Sequence, residues 1–242
     1  MKEYQKIETV FERDPQTKKL LIGKFRNPTV EYLMNNNWLV TEKIDGTNIR
    51  VVWDGHTFSF YGRTDKATIP VPLLEKLKTM FDYKQEQVFE QMFGLKEVIL
   101  FGEGIGEKIQ CGTYGKEYKF LVFDIMINGK YLHLSDSLEI CSKLNLETVP
   151  IWGSSLPFIT LLELIIKGSS EMLQAVSELG GTKGNVEGFV LRPKMTVYDN
   201  NLDRVIVKLK FRDFKEKWWT RKTGYYTRPM PCAVRLYCYG MT

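Results

Sequence analysis

Residues 38–61 read WLVTEKIDGTNIRVVWDGHTFSFY, three apolar runs separated by two short turns. The runs are rich in β-branched and aromatic residues, which favour strands. An Asp-Gly dipeptide at 54–55 is a strong signal for a two-residue hairpin. The other turn, KIDG at 43–46, carries a lysine beside an acid and a glycine. The stretch therefore predicts antiparallel strands with a lysine at one of their connections.

The remainder of the chain alternates strands and helices irregularly. Helical spacing of apolar residues predicts a long helix over 71–93, a helix that starts at Ser135 and a helical region over 157–179. Further strands are predicted at 97–103, 118–127, 130–134, 186–193 and 204–211. The hairpins imply antiparallel pairing, so the predicted fold class is α+β rather than a doubly wound parallel sheet.

Length and composition are those of an ordinary globular protein. The chain has 242 residues, 43% of them hydrophobic and 26% charged, which suffices for a sizeable core. No apolar stretch approaches a membrane span, and residues 1–6 lack the apolar segment of a secretion signal. We therefore expect a cytoplasmic protein without a membrane partner, in the host cytoplasm if it is phage-encoded.

The cysteines show no zinc-ligand spacing and fit reduced thiols: Cys111, Cys141, Cys232 and Cys238.

Positive charge is concentrated near the C-terminus. Residues 208–228 contain eight basic and two acidic residues, a net charge of +6, whereas the whole chain carries +5. Aromatic residues lie between these charges, a mixture that suits phosphate backbones and stacked bases. A basic solvated helix face over an aromatic contact would show the same composition. We predict one large domain, residues 1–212, and a basic aromatic extension, residues 213–242, with nucleic-acid contacts from Lys215, Lys217, Arg221 and Lys222.

The KIDG turn is informative only if the chain supplies partners for a reactive lysine. By itself the turn is more typical of a solvated loop than of a reactive site. A lysine amine is almost fully protonated at neutral pH, and it becomes a nucleophile when nearby positive charge or a metal favours the neutral form. If the target is a nucleotide phosphate, further cations must neutralise it and carboxylates must hold magnesium.

Candidate partners occur along the predicted strands. FGEG at 101–104 places a carboxylate between glycines, where a ligand can approach the backbone. An apolar strand leads to Phe-Asp at 123–124, and Glu-Gly at 187–188 starts another. In VKLK at 207–210 the two lysines must share one strand face, which an anion between them would favour. Each feature alone is also typical of an ordinary strand.

The order of these motifs resembles that of the covalent nucleotidyltransferases, the superfamily of ATP-dependent DNA and RNA ligases and messenger-RNA capping enzymes. The motifs are KIDGTN at 43–48, Arg63, FGEG at 101–104, Phe-Asp at 123–124, EGFVLR at 187–192 and KLK at 208–210. The stretch from Phe101 through Ile109-Gln110 and Tyr114-Gly115 to Ile125 is particularly similar to the RNA ligase 2 family, the phage and kinetoplastid-editing type that seals nicks. The resemblance covers residues 35–212.

The resemblance implies a role for each matching residue. Lys43 would attack the α-phosphate of ATP and hold AMP through a phosphoramide bond, with Lys208 and Lys210 as catalytic residues that grip that phosphate. Further nucleotide contacts are implied for Glu42 at the adenine edge, Asn48 and Arg63 at the sugar and phosphates, Glu103 at the ribose and Phe123 stacked on adenine. Arg63 would also contact the RNA end. Glu187 would position the metal, and Asp124 would have a supporting or metal-linked role.

The implied fold is a nucleotidyltransferase (adenylation) domain. It comprises two antiparallel sheets with flanking helices, similar to ATP-grasp proteins, with AMP in the cleft between the sheets. The implied function is ATP-dependent RNA ligation in RNA repair, through lysyl-AMP and RNA-adenylate intermediates. Mg²⁺, or Mn²⁺ in its place, would be the metal. The partner would be RNA with 3′-hydroxyl and 5′-phosphate ends, in a duplex, bound by a monomer.

The sequence departs from the RNA ligase 2 pattern in two ways, which leaves alternative functions open. Asp45 stands where several RNA ligase 2 members have histidine, so this motif fits DNA ligases and capping enzymes equally well. Only residues 211–242 follow Lys210, too few for the OB domain of DNA ligases and capping enzymes and short for the C-terminal domain of longer RNA ligases. We therefore expect no OB domain. The alternatives are a minimal ATP-dependent DNA ligase, a capping-type guanylyltransferase and an inactive nucleic-acid-binding relative.

Overall fold

The computed structural model describes residues 2–110, 114–167, 187–210 and 213. Within these residues the chain forms two compact units. The first unit contains residues 2–6, 41–110 and 114–152, and the second contains residues 7–40, 153–167, 187–210 and 213. Residues 214–242 of the predicted extension lie outside the described residues, as do Cys111, Cys232 and Cys238.

The described residues contain twelve strands and five helices. The strands are β1 (Glu8–Thr9), β2 (Phe11–Arg13), β3 (Leu20–Phe25), β4 (Asn37–Lys43), β5 (Thr47–Trp53), β6 (Phe58–Tyr61), β7 (Val98–Ile105), β8 (Lys119–Ile127), β9 (Lys130–Tyr131), β10 (Ile151–Pro157), β11 (Gly188–Pro193) and β12 (Val207–Lys210). The helices are α1 (Pro28–Tyr32), α2 (Val71–Met80), α3 (Tyr83–Phe93), α4 (Leu134–Lys143) and α5 (Phe158–Lys167).

The first unit is built on a five-stranded antiparallel sheet in the order β6-β5-β7-β8-β9. Alternate residues of β5, such as Ile49 and Val51, point to one face and enter a core with residues of α2, α3 and α4. Phe89 of α3 lies at the centre of this core with 0% exposure. The helices therefore cover one face of the sheet, and the other face carries a smaller cluster that includes Phe101 and Phe123.

One predicted helix is two helices in the structure. The prediction over residues 71–93 was wrong at Phe81 and Asp82, where α2 ends and α3 begins. The Asp82 carboxylate accepts the Gln85 N–H at 3.1 Å and caps α3. Apolar spacing continues through the break because both helices pack on the same core, so periodicity alone does not reveal it.

The second unit is organised around a five-stranded sheet in the order β1-β12-β11-β4-β10, beside the β2-β3 hairpin. Strands β4 and β10 each continue from one unit into the other. Strand β12 pairs antiparallel with β11 but parallel with β1. Trp38 and Phe158 are fully buried, with ring centroids 4.3 Å apart, and form part of the core of this unit.

The α+β class and the two sheets are confirmed, with the parallel β1-β12 pair as an addition. Strands β1, β2, β3 and β10 were not predicted, and β9 is shorter than predicted because α4 begins at Leu134. The predicted helical region at 157–179 begins as α5 at Phe158, and its part beyond residue 167 lies outside the described residues. Among the described helices, none is long and apolar enough to cross a membrane.

Candidate active site

Lys43 is the last residue of β4, and the chain turns at once into β5, which starts at Thr47. Lys43 itself is half-buried. Ile44, the next residue, is only 4% exposed and packs into a small apolar cluster with Ile105 and Leu121. The buried isoleucine anchors the turn beside the candidate nucleophile.

Side chains distant in sequence hold the backbone of this turn on the C-terminal side of Lys43. Glu103 accepts the Gly46 N–H at 3.2 Å, and Gln110 donates its side-chain amide to the Gly46 carbonyl at 3.1 Å. The Tyr114 hydroxyl accepts the Asp45 N–H at 3.4 Å. Gly46 has no space for a side chain, because an added Cβ would lie 2.8 Å from Cγ of Glu103. The turn is therefore a fixed structure and not a solvated loop.

Glu42, on the other side of Lys43, is only 3% exposed. Its N–H donates to the Pro150 carbonyl at 2.9 Å, and its Oε1 accepts the Tyr114 hydroxyl at 3.1 Å. Burial and the neighbouring Glu42 charge raise the pKa of Tyr114 well above its ordinary value, so this hydroxyl keeps its proton. Tyr114 thus contacts Glu42 and Asp45, which lie on either side of Lys43 in the chain.

Asn48 and Glu103 are direct partners in the β5-β7 register. Cross-strand partners have Cβ atoms about 5 Å apart, so the two side chains share one face of the sheet as neighbours. The Asn48 Oδ1 atom is buried and has no hydrogen-bond partner among the described residues. A buried acceptor of this kind is costly unless a donor reaches it, which fits a ligand that carries hydroxyl groups, such as a nucleoside. The structure thus brings together two of the residues predicted to bind nucleotide.

Strand β8 departs from regular pairing at the predicted Phe-Asp motif. Phe101 pairs with Asp124 and Gly102 pairs with Val122, which leaves Phe123 as an extra residue in a β-bulge. Strict alternation would send Phe123 and Asp124 to opposite faces. The bulge instead places both on the face opposite the helices, where Tyr4 contacts them.

Tyr4 joins the two bulge residues. Its hydroxyl donates to Asp124 Oδ2 at 2.8 Å, and its ring meets Phe123 edge-on with centroids 5.0 Å apart. Asp124 is fully buried and lies inside β8. These contacts favour the supporting role for Asp124, and its metal-linked role stays a prediction.

Arg63 lies in an exposed turn after β6. Arg50, which is fully buried, holds this turn on both sides. Its guanidinium donates to the Gly62 carbonyl at 2.9 Å and to Asp65 Oδ1 at 2.7 Å. The hydrogen bond from Arg50 lowers the pKa of Asp65, so the acid keeps its charge in this pair. Arg63 therefore extends from a turn of fixed backbone.

Three predicted site residues belong to the second unit. Lys208 and Lys210 are half-buried on β12, whereas the alternating residues Val207 and Leu209 are buried, so the lysines share a face as predicted. Lys210 pairs with Gly188 in the β11-β12 register and forms an ion pair with Glu187 Oε1. The carboxylate predicted to serve the metal is thus next to a lysine predicted to grip phosphate.

The motifs in the sequence predict no role for Tyr4, Arg50, Gln110 or Tyr114. For Gln110 and Tyr114 a signal existed, since both lie in the stretch most similar to the RNA ligase 2 family. The predicted nucleic-acid contacts Lys215, Lys217, Arg221 and Lys222 lie outside the described residues. Among the described residues, no group of three or more His, Cys, Asp or Glu side chains could by itself hold a metal ion.

The family model for RNA ligase matches residues 36–210. The chain belongs to the RNA ligase family. This match spans every motif from the Lys43 turn to Lys210. No curated protein matches the chain.

Solved RNA ligases share the fold. An apo point mutant of Naegleria gruberi RNA ligase is 21% identical, with a TM-score of 0.59 over 90% of this chain and 57% of that chain. Another mutant of the same ligase, with ATP and Mn, is 22% identical with a TM-score of 0.57 over 90% of this chain and 58% of that chain. An archaeal ATP-dependent RNA ligase is 16% identical with a TM-score of 0.58, over 90% of this chain and 50% of that chain. The chain thus spans less than two thirds of each of these proteins.

Proposed function

We propose that this protein is an ATP-dependent RNA ligase that joins RNA 3′-hydroxyl and 5′-phosphate ends, in nicked duplexes, through lysyl-AMP and RNA-adenylate intermediates. The observation that carries the proposal is the fixed turn at Lys43 next to the Asn48–Glu103 pair. A half-buried lysine on a rigid backbone, beside carboxamide and carboxylate groups suited to a nucleoside, is what lysine adenylylation needs. The match to the RNA ligase family supports ligation as the reaction that uses this chemistry.

The first step uses residues of the first unit. The neutral Nζ of Lys43 attacks the α-phosphorus of ATP, a P–N bond forms, and the P–O bond to pyrophosphate breaks. The ribose hydroxyls donate to Glu103 and to Asn48 Oδ1, and Phe123 stacks on the adenine. The Naegleria ligase structure with ATP and Mn supports ATP as the nucleotide.

The later steps transfer AMP to the RNA and then release it. An oxygen of the RNA 5′-phosphate attacks the α-phosphorus, the P–N bond breaks, and Lys43 is regenerated. The 3′-hydroxyl then attacks the activated 5′-phosphorus, and AMP leaves as the phosphodiester forms. Lys208 and Lys210 stabilise the negative charge on the α-phosphate throughout.

The predicted metal ligand suits a cation that is bound mainly through the substrate. Mg²⁺ commonly uses one or two carboxylates together with substrate phosphates, so a single carboxylate such as Glu187, which also pairs with Lys210, suffices. When bound, Mg²⁺ or Mn²⁺ neutralises phosphate charge. Arg63 and the basic residues of the 213–242 extension would contact the RNA, which agrees with the charge concentrated there.

Labelling with α-³²P-ATP and Mg²⁺ tests the nucleophile. The parent should accumulate an acid-labile, base-stable label, and Lys43→Ala should abolish it. Lys84→Ala, which removes an exposed lysine of α3, is the matched control and should label like the parent. Labelling that persists in Lys43→Ala would refute the assignment of Lys43.

Sealing assays on matched RNA, DNA and hybrid nicks test the substrate. The proposal expects RNA strands to be sealed in preference to DNA. Sealing of DNA alone would identify a minimal DNA ligase, and labelling by GTP instead of ATP would identify a capping-type enzyme. RNA binding without any labelling would identify an inactive relative.

A further inference from the structure

Two polar side chains that follow β7 in the sequence contact the Lys43 turn, and neither takes part in the chemistry proposed above. Gln110 Nε2 donates to the Gly46 carbonyl at 3.1 Å. The Tyr114 hydroxyl contacts both sides of Lys43, as donor to Glu42 Oε1 at 3.1 Å and as acceptor of the Asp45 N–H at 3.4 Å. Between 64 and 72 residues separate the partners, so these contacts exist only in the folded chain.

We propose that Tyr114 and Gln110 are positioning residues that hold Lys43 in its attack geometry, an inference that rests on the proposed adenylylation of Lys43. The lysine side chain is long and flexible, so its backbone anchor sets where Nζ can reach. Contacts at Glu42, Asp45 and Gly46 leave only Lys43 and Ile44 between fixed points. Ile44 is buried, which removes the remaining freedom of the segment.

The hydrogen bond from Tyr114 to Glu42 is stronger than the one from Gln110 to the Gly46 carbonyl. Glu42 is 3% exposed, and a hydrogen bond from a hydroxyl to a buried carboxylate is charge-assisted and roughly twice as strong as a neutral one. A phenylalanine at position 114 would keep the ring and remove the donor to Glu42 and the acceptor for Asp45 together. One oxygen atom therefore controls both flanks of the lysine.

The Gln110 contact is supported by its backbone. Gln110 has a φ of 50°, in the left-handed region that residues other than glycine rarely adopt. Such a conformation costs free energy and persists where surrounding contacts hold it, which is common at functional sites. The amide of Gln110 aims at the Gly46 carbonyl, opposite the Gly46 N–H that Glu103 accepts. Gly46 is therefore held through both of its backbone polar groups.

Reaction rate should be sensitive to this arrangement. Nζ must come within about 3–3.5 Å of the α-phosphorus in line with the leaving pyrophosphate, and a displacement of about 1 Å can cost about 100-fold in rate. Neither Tyr114 nor Gln110 is among the residues proposed to contact the nucleotide. Their loss should therefore slow the reaction and leave ATP affinity unchanged.

Single-turnover labelling with α-³²P-ATP and Mg²⁺ separates positioning from folding. A misfolded fraction lowers the amount of labelled protein but leaves the rate constant of the folded remainder unchanged. We expect Tyr114→Phe and Gln110→Ala each to lower the rate constant at saturating ATP by about 10- to 100-fold, with the final amplitude and the KM for ATP within about twofold of the parent. Pyrophosphate-driven reversal should slow by the same factor, because it passes through the same transition state.

Each variant has a matched control in the first unit. Tyr118→Phe removes a hydroxyl that makes no hydrogen bond within the described residues, from a ring that packs on the core. Gln85→Ala removes an amide that donates to the Leu144 carbonyl at 3.4 Å, on helix α3. Both controls should label at the parental rate.

The outcomes distinguish this inference from the proposed function. If the parent labels, Lys43→Ala does not, and both Tyr114→Phe and Gln110→Ala keep the parental rate constant, the positioning role is refuted and the function stands. A fall in amplitude at an unchanged rate constant would also refute it, because it indicates only a folding role. If the parent itself takes up no label, the proposed function fails first.

Discussion

Replacement of Gly46 by alanine probes the tightest point of the Lys43 turn. A Cβ at this position would overlap the carbonyl oxygen of Gly104 and lie 2.8 Å from Cγ of Glu103 and 3.1 Å from Cγ2 of Ile105. Real Cβ atoms essentially never come within 3.0 Å of another heavy atom, so some part of the structure must move. All three contact atoms belong to β7.

The turn should move rather than the strand. Strand β7 pairs with β5 on one side and β8 on the other, which holds its backbone in place. To regain carbon contact distances of roughly 3.5 Å, the turn must shift by about 1 Å. A shift of this size predicts a loss of about 100-fold in the rate constant for adenylylation of Lys43. The strain of overpacking predicts a loss of about 1–3 kcal/mol in the free energy of unfolding.

Labelling kinetics and urea unfolding on the same preparations measure both quantities. Gly23→Ala is a suitable control, because position 23 has open space and a φ of 91°. Its strained backbone should cost about 1 kcal/mol of stability with no change in labelling. A Gly46→Ala protein with the parental rate constant and the parental stability would refute the reasoning, because it would mean that the turn is not closely packed against β7.

Three further predictions concern the first unit. Tyr4→Phe removes the donor to the fully buried Asp124 carboxylate and should lower the free energy of unfolding by about 1–3 kcal/mol in urea titrations, and no loss would contradict the contact. Phe89→Ala, at a fully buried position, should cost about 3–5 kcal/mol in the same measurement, and a loss below about 1 kcal/mol would contradict its central place in the core. Burial raises the pKa of Cys141 from 9.0 to about 12. The neutral thiol therefore makes its full contribution to the free energy of unfolding below about pH 9, and this contribution is lost as the pH rises towards about 12. The stability difference between the parent and Cys141→Ala should therefore shrink between about pH 8 and about pH 10.5, and a constant difference would contradict the burial of the thiol.

Much of the site was predictable because it depends on local chain geometry. The turn at Lys43 follows from an Asp-Gly pair between two strand-forming runs, and the shared face of Lys208 and Lys210 follows from the period of a strand. Asn48 and Glu103 were each predicted separately as nucleotide contacts. Their pairing in register was not predicted, since register depends on how two distant strands align.

The β8 bulge shows where local pattern fails. Alternation along β8 predicts that Phe123 and Asp124 face opposite sides, yet both face Tyr4. The bulge arises from the pairing of β8 with β7, and the residue types within β8 do not predict it. The break between α2 and α3 was missed for a related reason, because a continuous core imposes the same apolar spacing on both helices.

The amino-acid sequence by itself determined the α+β class and the lysine turn, because turn chemistry and strand period act between near neighbours in the chain, and the order of its motifs named candidate groups for the site. The tertiary structure alone decided which distant side chains hold those groups in place. Tyr4 reaches Asp124 across 120 residues, and Tyr114 reaches Glu42 across 72. Such contacts depend on strand register, on one bulge and on the packing of loops against the sheet. The residues proposed to perform the chemistry were therefore named from the order of motifs, whereas the contacts of the residues proposed to position them emerge only once the chain has folded.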